Sequence, residues 1–356
     1  MSPRRSPALL EALAQVAPGT PLREGIDRIL QAGMGALIVI SDSADVLNIC
    51  SGGFLLDAAY SPQRLSELAK MDGAIIVATD AGRIARANVH LVPNPNVPTS
   101  ETGTRHRTAE RVARSIEVPV ISVSQRMQVI AVYTADEKYQ IEPVPRVVNR
   151  ANQALQTLER YKMRLDQVSG ALAALEVEDL VTARDVAGVL QRTEMVRRIA
   201  DEIEGYIIEL GDDGRLARLQ LEELLGDHDD ERRLVVQDYV QTDASWHLEQ
   251  AIEGLSRLGT DDLLDLELVG AVLHLPPGGD LDVSMTPRGY RMLSRIPRLP
   301  VGVIDRVVER FSGLPKIMRA NLTDLEDVEG VGELRARAIK EGLSRLAESS
   351  ILDRYT

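Results

Sequence analysis

ALIVISD, residues Ala36 to Asp42, decides the fold class. It is a short β-branched run without alternating polar positions, the pattern of a strand buried on both faces. AIIVAT (Ala74 to Thr79) and VISV (Val120 to Val123) have the same character, and QVIAVYT (Gln128 to Thr134) adds a further strand. RIARANVHLV (Arg83 to Val92) alternates less cleanly. Helical patterns precede the first strand, at Pro7 to Val16 and Leu22 to Ala32. Others intervene later, at Gln63 to Lys70 and Thr108 to Ser115. Strands interspersed with helices predict an α/β N-terminal domain with a central mixed sheet flanked by helices.

Pro143 and Pro145 close this unit. Beyond them Val148, Ala151, Leu155, Leu158, Tyr161, Leu165, Val168, Leu172 and Leu175 recur at steps of three and four, an apolar stripe for packing in a bundle or a coiled-coil-like seam. Helical character continues to about Leu275, broken at Gly211 to Gly214 and Gly226 to Glu231. Neither break has the alternating oxygen ligands and terminal Glu of a calcium loop, so both read as solvated loops. PPGGDLD (Pro276 to Asp282) is a strong break, and short helices follow from Pro287. The expected domains are 1–145 (α/β), 146–286 (all-α, linking and oligomerising) and 287–356 (all-α).

The 356 residues are 44% hydrophobic and 27% charged, a globular composition. Aromatics are 3%, with Trp246 the single tryptophan, which argues against nucleic-acid binding by stacked aromatic platforms. Cys50 is the single cysteine, so no intrachain disulfide forms and a reducing cytoplasm is expected. The opening MSPRRSPALLEALAQV has no apolar core of signal-peptide type, and no apolar run approaches the roughly 20 residues of a membrane span. Net charge is -13, but from Arg288 onward 13 Lys and Arg face 10 Asp and Glu. An acidic body with a locally basic tail confines any DNA contact to that tail.

Three N-terminal segments carry chemistry. Asp72-Gly73-Ala74 sets a carboxylate and a glycine at a turn directly before a strand, suited to a divalent cation near a phosphate. Gly103-Thr104-Arg105-His106-Arg107-Thr108 opens a helix, where backbone N–H groups and two arginines favour an anion and Thr104 or Thr108 either caps the helix or binds a phosphate oxygen. Ser122-Val123-Ser124-Gln125-Arg126 brings hydroxyls to a strand end. No Walker A loop and no strand-linked G-x-G-x-x-G is present. Residue chemistry therefore stops at a phosphate-binding α/β domain, with phosphoryl transfer in reach.

The pairing of Asp72-Gly73-Ala74 with Arg105-His106-Arg107, together with LSELAKMDGAIIV, GTRHRTAERVA and VISVSQRMQVIAVY, resembles the diadenylate cyclase family. With the C-terminal module below, the resemblance extends over nearly the full length. It implies condensation of two ATP into cyclic di-AMP with release of two pyrophosphates, and facing domains in a homo-oligomer, an octamer. By the same resemblance Asp72 would hold Mg²⁺ or Mn²⁺ and help activate the attacking hydroxyl. Gly73 would lie against the nucleotide and Leu91 would offer backbone to adenine. Thr104, Arg105, His106, Arg107 and Thr108 would cradle phosphates, with Ser124 nearby.

In the tail, Leu325 to Ile339 (LEDVEGVGELRARAI) reads as a short helix, a Gly330-Val331-Gly332 turn and a second helix. Glycines and a helix start can grip a DNA phosphate without reading bases, with Arg335, Arg337 and Lys340 adding charge. The pattern resembles the helix-hairpin-helix family. Leu299 to Ile304 resembles a partner hairpin, but Pro300 stands where a first glycine is expected. In the resembled family the module favours branched DNA such as Holliday junctions, which suppresses the cyclase. Two other readings stand beside this one: a non-catalytic ATP-sensing DNA-binding scaffold, and a repair nuclease or glycosylase.

Overall fold

The computed structural model describes residues 5–226, 229–240, 248–275 and 280–354. Trp246 and the Pro276 to Gly279 part of the expected break lie outside them, as do the first four residues of the opening and two of the second acidic break. The chain forms two compact units, one of residues 2–155 with 201–221, the other of 156–200 with 222–356.

The first unit is built on eight strands: β1 (Ala36–Ile40), β2 (Cys50–Ser51), β3 (Phe54–Ala59), β4 (Ala74–Val77), β5 (Arg83–Leu91), β6 (Val120–Ser124), β7 (Val129–Tyr133) and β8 (Lys138–Gln140). They run in the order β2-β5-β4-β1-β6-β7-β8, with β3 also on β5. β1 and β4 are parallel and the other pairs antiparallel, so the sheet is mixed as expected. Every residue of β1, β4 and β6 is buried; β1 and β4 are accordingly unbroken apolar runs, while β6 carries the buried Ser122 and Ser124 among its valines and isoleucine.

Each face has its own core. Ile38, Ile40, Ile75, Val77, Ile121 and Val123 point to one side. They meet α1 (Pro7–Gln15), α2 (Pro21–Gln31) and α4 (Pro62–Leu68), after which the chain turns at Ala69 into β4. α2 shows why such a segment is helical: Thr20 caps its N-terminus, Pro21 takes the first position, and Leu22, Ile26 and Ile29 form one fully buried stripe. Each of those three side chains contributes about 1.5–3 kcal/mol by burial, so Ile26→Asp would break this layer. On the other side Leu37, Val39, Ile76, Val120 and Tyr133 meet α3 (Ala44–Asn48) and α5 (Thr104–Ile116).

The rest of the chain is helical: α6 (Val144–Glu178), α7 (Ala183–Leu210), α8 (Arg215–Leu225), α9 (Asp229–Tyr239), α10 (Leu248–Arg257), α11 (Leu266–Val272), α12 (Tyr290–Ser294), α13 (Val301–Phe311), α14 (Leu314–Arg319), α15 (Leu322–Glu326) and α16 (Glu333–Arg354). The apolar stripe read from Val148 onward is α6. Gly211 to Gly214, expected as a solvated loop, is instead a 3₁₀ turn with Gly214 buried and the Asp212 N–H donating to the Pro18 carbonyl. Among the described residues no helix is long and apolar enough to cross a membrane.

Within the second unit, α12 to α16 share one apolar core that includes Leu293, Val307, Ile317, Leu325, Ala336 and Ile339. The buried Arg291 pairs with Glu176 at 2.8 Å and with Glu231 at 3.1 Å. Asp238 accepts the backbone N–H groups of Gly289, Tyr290 and Arg291 at 2.7, 2.7 and 2.8 Å. Burial, reinforced by the Glu176 carboxylate, pushes Asp238 up to about 7.

Candidate nucleotide site and hairpin

Strand directions gather the predicted N-terminal residues. β1 and β4 are parallel with Leu37 opposite Ala74, so Gly35 and Asp72-Gly73 precede them at one sheet end. β6 runs against β1 and finishes at that end with Ser124, while Val89 of β5 lies opposite Ala74. Leu91 pairs with Cys50 just beyond, its side chain buried. Asp72 and Gly73 are exposed. Gly73 has a φ of +120°, and a Cβ there would come within 2.8 Å of the Asn88 backbone, so the turn itself demands glycine.

α5 starts at Thr104, a turn earlier than the Thr108 of the helical pattern, which puts Arg105, His106 and Arg107 in its first turn. Gly103 is the N-cap and no side chain caps the helix, so neither Thr104 nor Thr108 plays the capping part foreseen for one of them. The Arg107 N–H bonds to the Gly103 carbonyl, the N–H groups before it have no partner within the helix, and the first turn itself contains no acidic residue. Such a start favours an anion by dipole and by donors. The Arg105 guanidinium lies over Gly35, where a Cβ would be 2.1 Å from its Nη1, and reaches the Val123 carbonyl at 3.5 Å. Arg107 is exposed, and Thr108 sits one turn behind Thr104. Ser124 Oγ accepts the Met127 N–H at 3.3 Å, the work of a turn former.

Sequence reading missed how the loop before α5 is held. The buried Glu110 accepts from the Thr99 hydroxyl and from the Ser100 N–H, Arg111 donates to the Val97 carbonyl at 3.1 Å, and Arg114 to the Pro98 carbonyl at 2.9 Å. Nor was a second cluster visible. His106 Nδ1 lies 2.9 Å from the Tyr133 hydroxyl, which donates to Glu101 at 3.0 Å, and Lys138 pairs with the same carboxylate. The only hint was Glu101 two residues ahead of the Gly103-Thr104-Arg105 run.

In the second unit, Leu325 to Ile339 does form helix, turn and helix. Gly330 has a φ of +87° and Gly332 is exposed with nothing within 4 Å of a Cβ position. The Val331 N–H is already bonded to the Val328 carbonyl at 2.9 Å, so it is not a bare donor. Arg335 donates to the Gly330 carbonyl at 2.6 Å and Arg337 pairs with Glu333. Lys340, expected to add charge, donates to the Met318 and Ala320 carbonyls that end α14. Pro300 is the N-cap of α13, and Arg306 from that helix donates to the Glu329 carbonyl at 2.7 Å.

Residues 23–138 match the family described as DisA bacterial checkpoint controller nucleotide-binding, and residues 141–281 its linker region. The chain is 57% identical over 345 residues to the DNA integrity scanning protein DisA of Frankia alni, covering 96% of both. This chain belongs to the DisA family. DisA of Kineococcus radiotolerans is 55% identical, with 99% of each chain covered, and DisA of Streptomyces coelicolor 51%, with 97% and 93% covered. Among solved structures a double mutant of DacA from Staphylococcus aureus is similar over 38% of this chain and 87% of that one, at 21% identity and a TM-score of 0.28. Asp72, Gly73, Leu91, Thr104 to Thr108 and Ser124 all fall inside the DisA nucleotide-binding match, so this domain binds nucleotide. The hairpin at Leu325 to Ile339 lies beyond both matched segments.

Proposed function

We propose that the chain is a diadenylate cyclase that joins two ATP molecules into cyclic di-AMP and releases two pyrophosphates. The observation that carries this is the common sheet end shared by exposed Asp72-Gly73 and the Arg105 side chain from the open start of α5. Each 3′-hydroxyl attacks the α-phosphorus of the other nucleotide. Such displacement is governed by positioning and by neutralising phosphate charge. Thr104 to Thr108 cradle the triphosphate, Arg105 and Arg107 supply its counter-charge, Ser124 lies by the phosphates, and Leu91 offers backbone to adenine.

Among the described residues no group of three His, Cys, Asp or Glu forms a metal site. One exposed carboxylate, Asp72, suits Mg²⁺ or Mn²⁺ completed by phosphate oxygens and water rather than by an all-protein cage. When bound, the ion offsets phosphate charge beside Asp72. Asp72 itself orients the attacking hydroxyl. The reaction uses two nucleotides, and the resemblance to diadenylate cyclases implies that two copies face one another, in an assembly we expect to be an octamer.

The exposed Gly332 turn supports a second part of the reading, that the hairpin binds branched DNA such as a Holliday junction and thereby lowers cyclase output. Purified chain incubated with ATP and Mg²⁺ or Mn²⁺, with products identified by mass, tests the enzyme. Cyclic di-AMP from wild type and none from a folded Asp72→Asn variant is expected. Bound ATP with no cyclic product under either metal would leave the scaffold reading, and cut DNA would mean a nuclease.

A further inference from the structure

The Glu101–Tyr133–His106 cluster has a proton order that follows from inventory alone. Glu101 is paired with Lys138. Burial works to raise its carboxyl, and the bonds from Lys138 and Tyr133 outweigh that, holding it below the usual carboxylate range. A carboxylate only accepts, so the Tyr133 hydroxyl spends its single proton on Glu101 at 3.0 Å. The same oxygen must then accept from His106 Nδ1, 2.9 Å away. Nδ1 therefore carries the hydrogen, and in the neutral ring Nε2 is bare.

We propose that Glu101 and Tyr133 are positioning residues for the cyclisation: they hold His106 as the Nδ1–H tautomer and leave Nε2 as an acceptor for a hydroxyl or water of the bound nucleotide. This rests on the cyclase reading. Arg105 and Arg107 only donate, so Nε2 is the single basic nitrogen in the first turn of α5. The charged groups around the ring are Glu101, which favours the imidazolium, and Lys138 and Arg105, which oppose it. Burial is the largest influence and keeps the ring below the ordinary histidine range, hence neutral near pH 7. Glu110 acts on the Tyr133 hydroxyl, which burial and Glu101 hold protonated.

The test uses full-length protein and two readouts. Carbethoxylation of His106 by diethyl pyrocarbonate, followed by peptide mass spectrometry without nucleotide, reports the neutral ring against pH. Steady-state cyclisation gives kcat, KM and their pH profiles. Glu101→Gln removes the charge that favours the imidazolium and strands Lys138, so the His106 half-point and the acidic limb of kcat should both move to lower pH. Tyr133→Phe keeps the ring packing but loses the acceptor, and kcat should fall about tenfold with KM for ATP nearly unchanged. A merely structural pair would change thermal stability and leave the acidic limb of kcat and the kcat-to-KM pattern as in wild type, which would overturn the proposal. If wild type made no cyclic product, the cyclase reading would fall, while a His106 half-point unmoved by Glu101→Gln would by itself sink the hydrogen-bond order drawn from Glu101 through Tyr133.

Discussion

Gly73 stands so close to Asn88 that a Cβ on it would sit 2.8 Å from the Asn88 carbonyl carbon, and its φ of +120° is one that side-chain-bearing residues rarely adopt. The two residues set how the Asp72 turn meets β5. Gly73→Ala therefore pushes on backbone rather than on a pliable side chain. We expect a stability loss of about 2–4 kcal/mol and a displaced Asp72. Denaturant midpoints should fall, and cyclisation should fall further than the folded fraction explains. A variant with wild-type stability and turnover would show that the turn tolerates a side chain.

Gly35 separates fold from site in the opposite sense. A Cβ there meets the far end of Arg105, a flexible group, at 2.1 Å, and presses on the Val123 carbonyl at 3.0 Å, a contact that a shift of a few tenths of an ångström relieves. Gly35→Ala should cost about 1 kcal/mol or less while evicting the guanidinium. The apparent ATP affinity should drop roughly tenfold, the size of one lost charge-assisted bond. Isothermal titration with ATP checks this, and unchanged binding would free Arg105 from phosphate duty.

The two hairpin glycines should behave differently. Gly330 has positive φ, and its Cβ would press on Arg306 Nη2 at 2.8 Å. Gly330→Val should thus damage the hairpin itself. Gly332 meets nothing of its own chain, so Gly332→Val should melt like wild type. Loss of four-way-junction affinity in that variant, with cyclisation intact, would mean that the open space serves a nucleic-acid backbone. Full affinity would remove the turn from DNA binding.

Asp238 gives a pH dependence of known sign. Its folded value of about 7 lies above the unfolded carboxylate value of about 3.9, so between them the folded state holds more protons. Stability from this group is present below about pH 4 and is lost as pH rises towards 7, by up to ~1.4 kcal/mol per unit. Denaturation of wild type and Asp238→Asn from pH 4 to 7 checks it: the wild-type advantage should shrink across that window. A constant difference would show that Asp238 stays ionised throughout.

Strands buried on both faces were the most legible elements, because β1 and β4 leave no polar position to blur their runs and β6 keeps three β-branched residues around Ser122. β3 escaped notice: Phe54 and Leu55 are exposed, and Asp57 interrupts it at a φ of +46°. The start of α5 was read a turn late because Thr104 to Arg107 contains no apolar residue to show a helical period. Asp72 and Arg105 were readable as chemistry, since a carboxylate at a turn and a cation at a helix start carry their meaning locally. Glu101 and Tyr133 were not, nor was their link to His106, because that order of protons exists only once residues 32 and 27 positions apart are folded together.

The cations of the tail have one more consequence. Arg306, Arg335 and Lys340 each hold a backbone carbonyl of their own unit, Arg288 holds those of Gln237 and Val240, and Arg291 is buried. A tethered cation keeps its charge but cannot chase a passing phosphate the way a loose side chain does. On the proposed DNA reading, these tethered cations would favour phosphates already at matching intervals, as a key's cuts meet fixed pins, and raising the ionic strength would weaken that grip without blurring its choice.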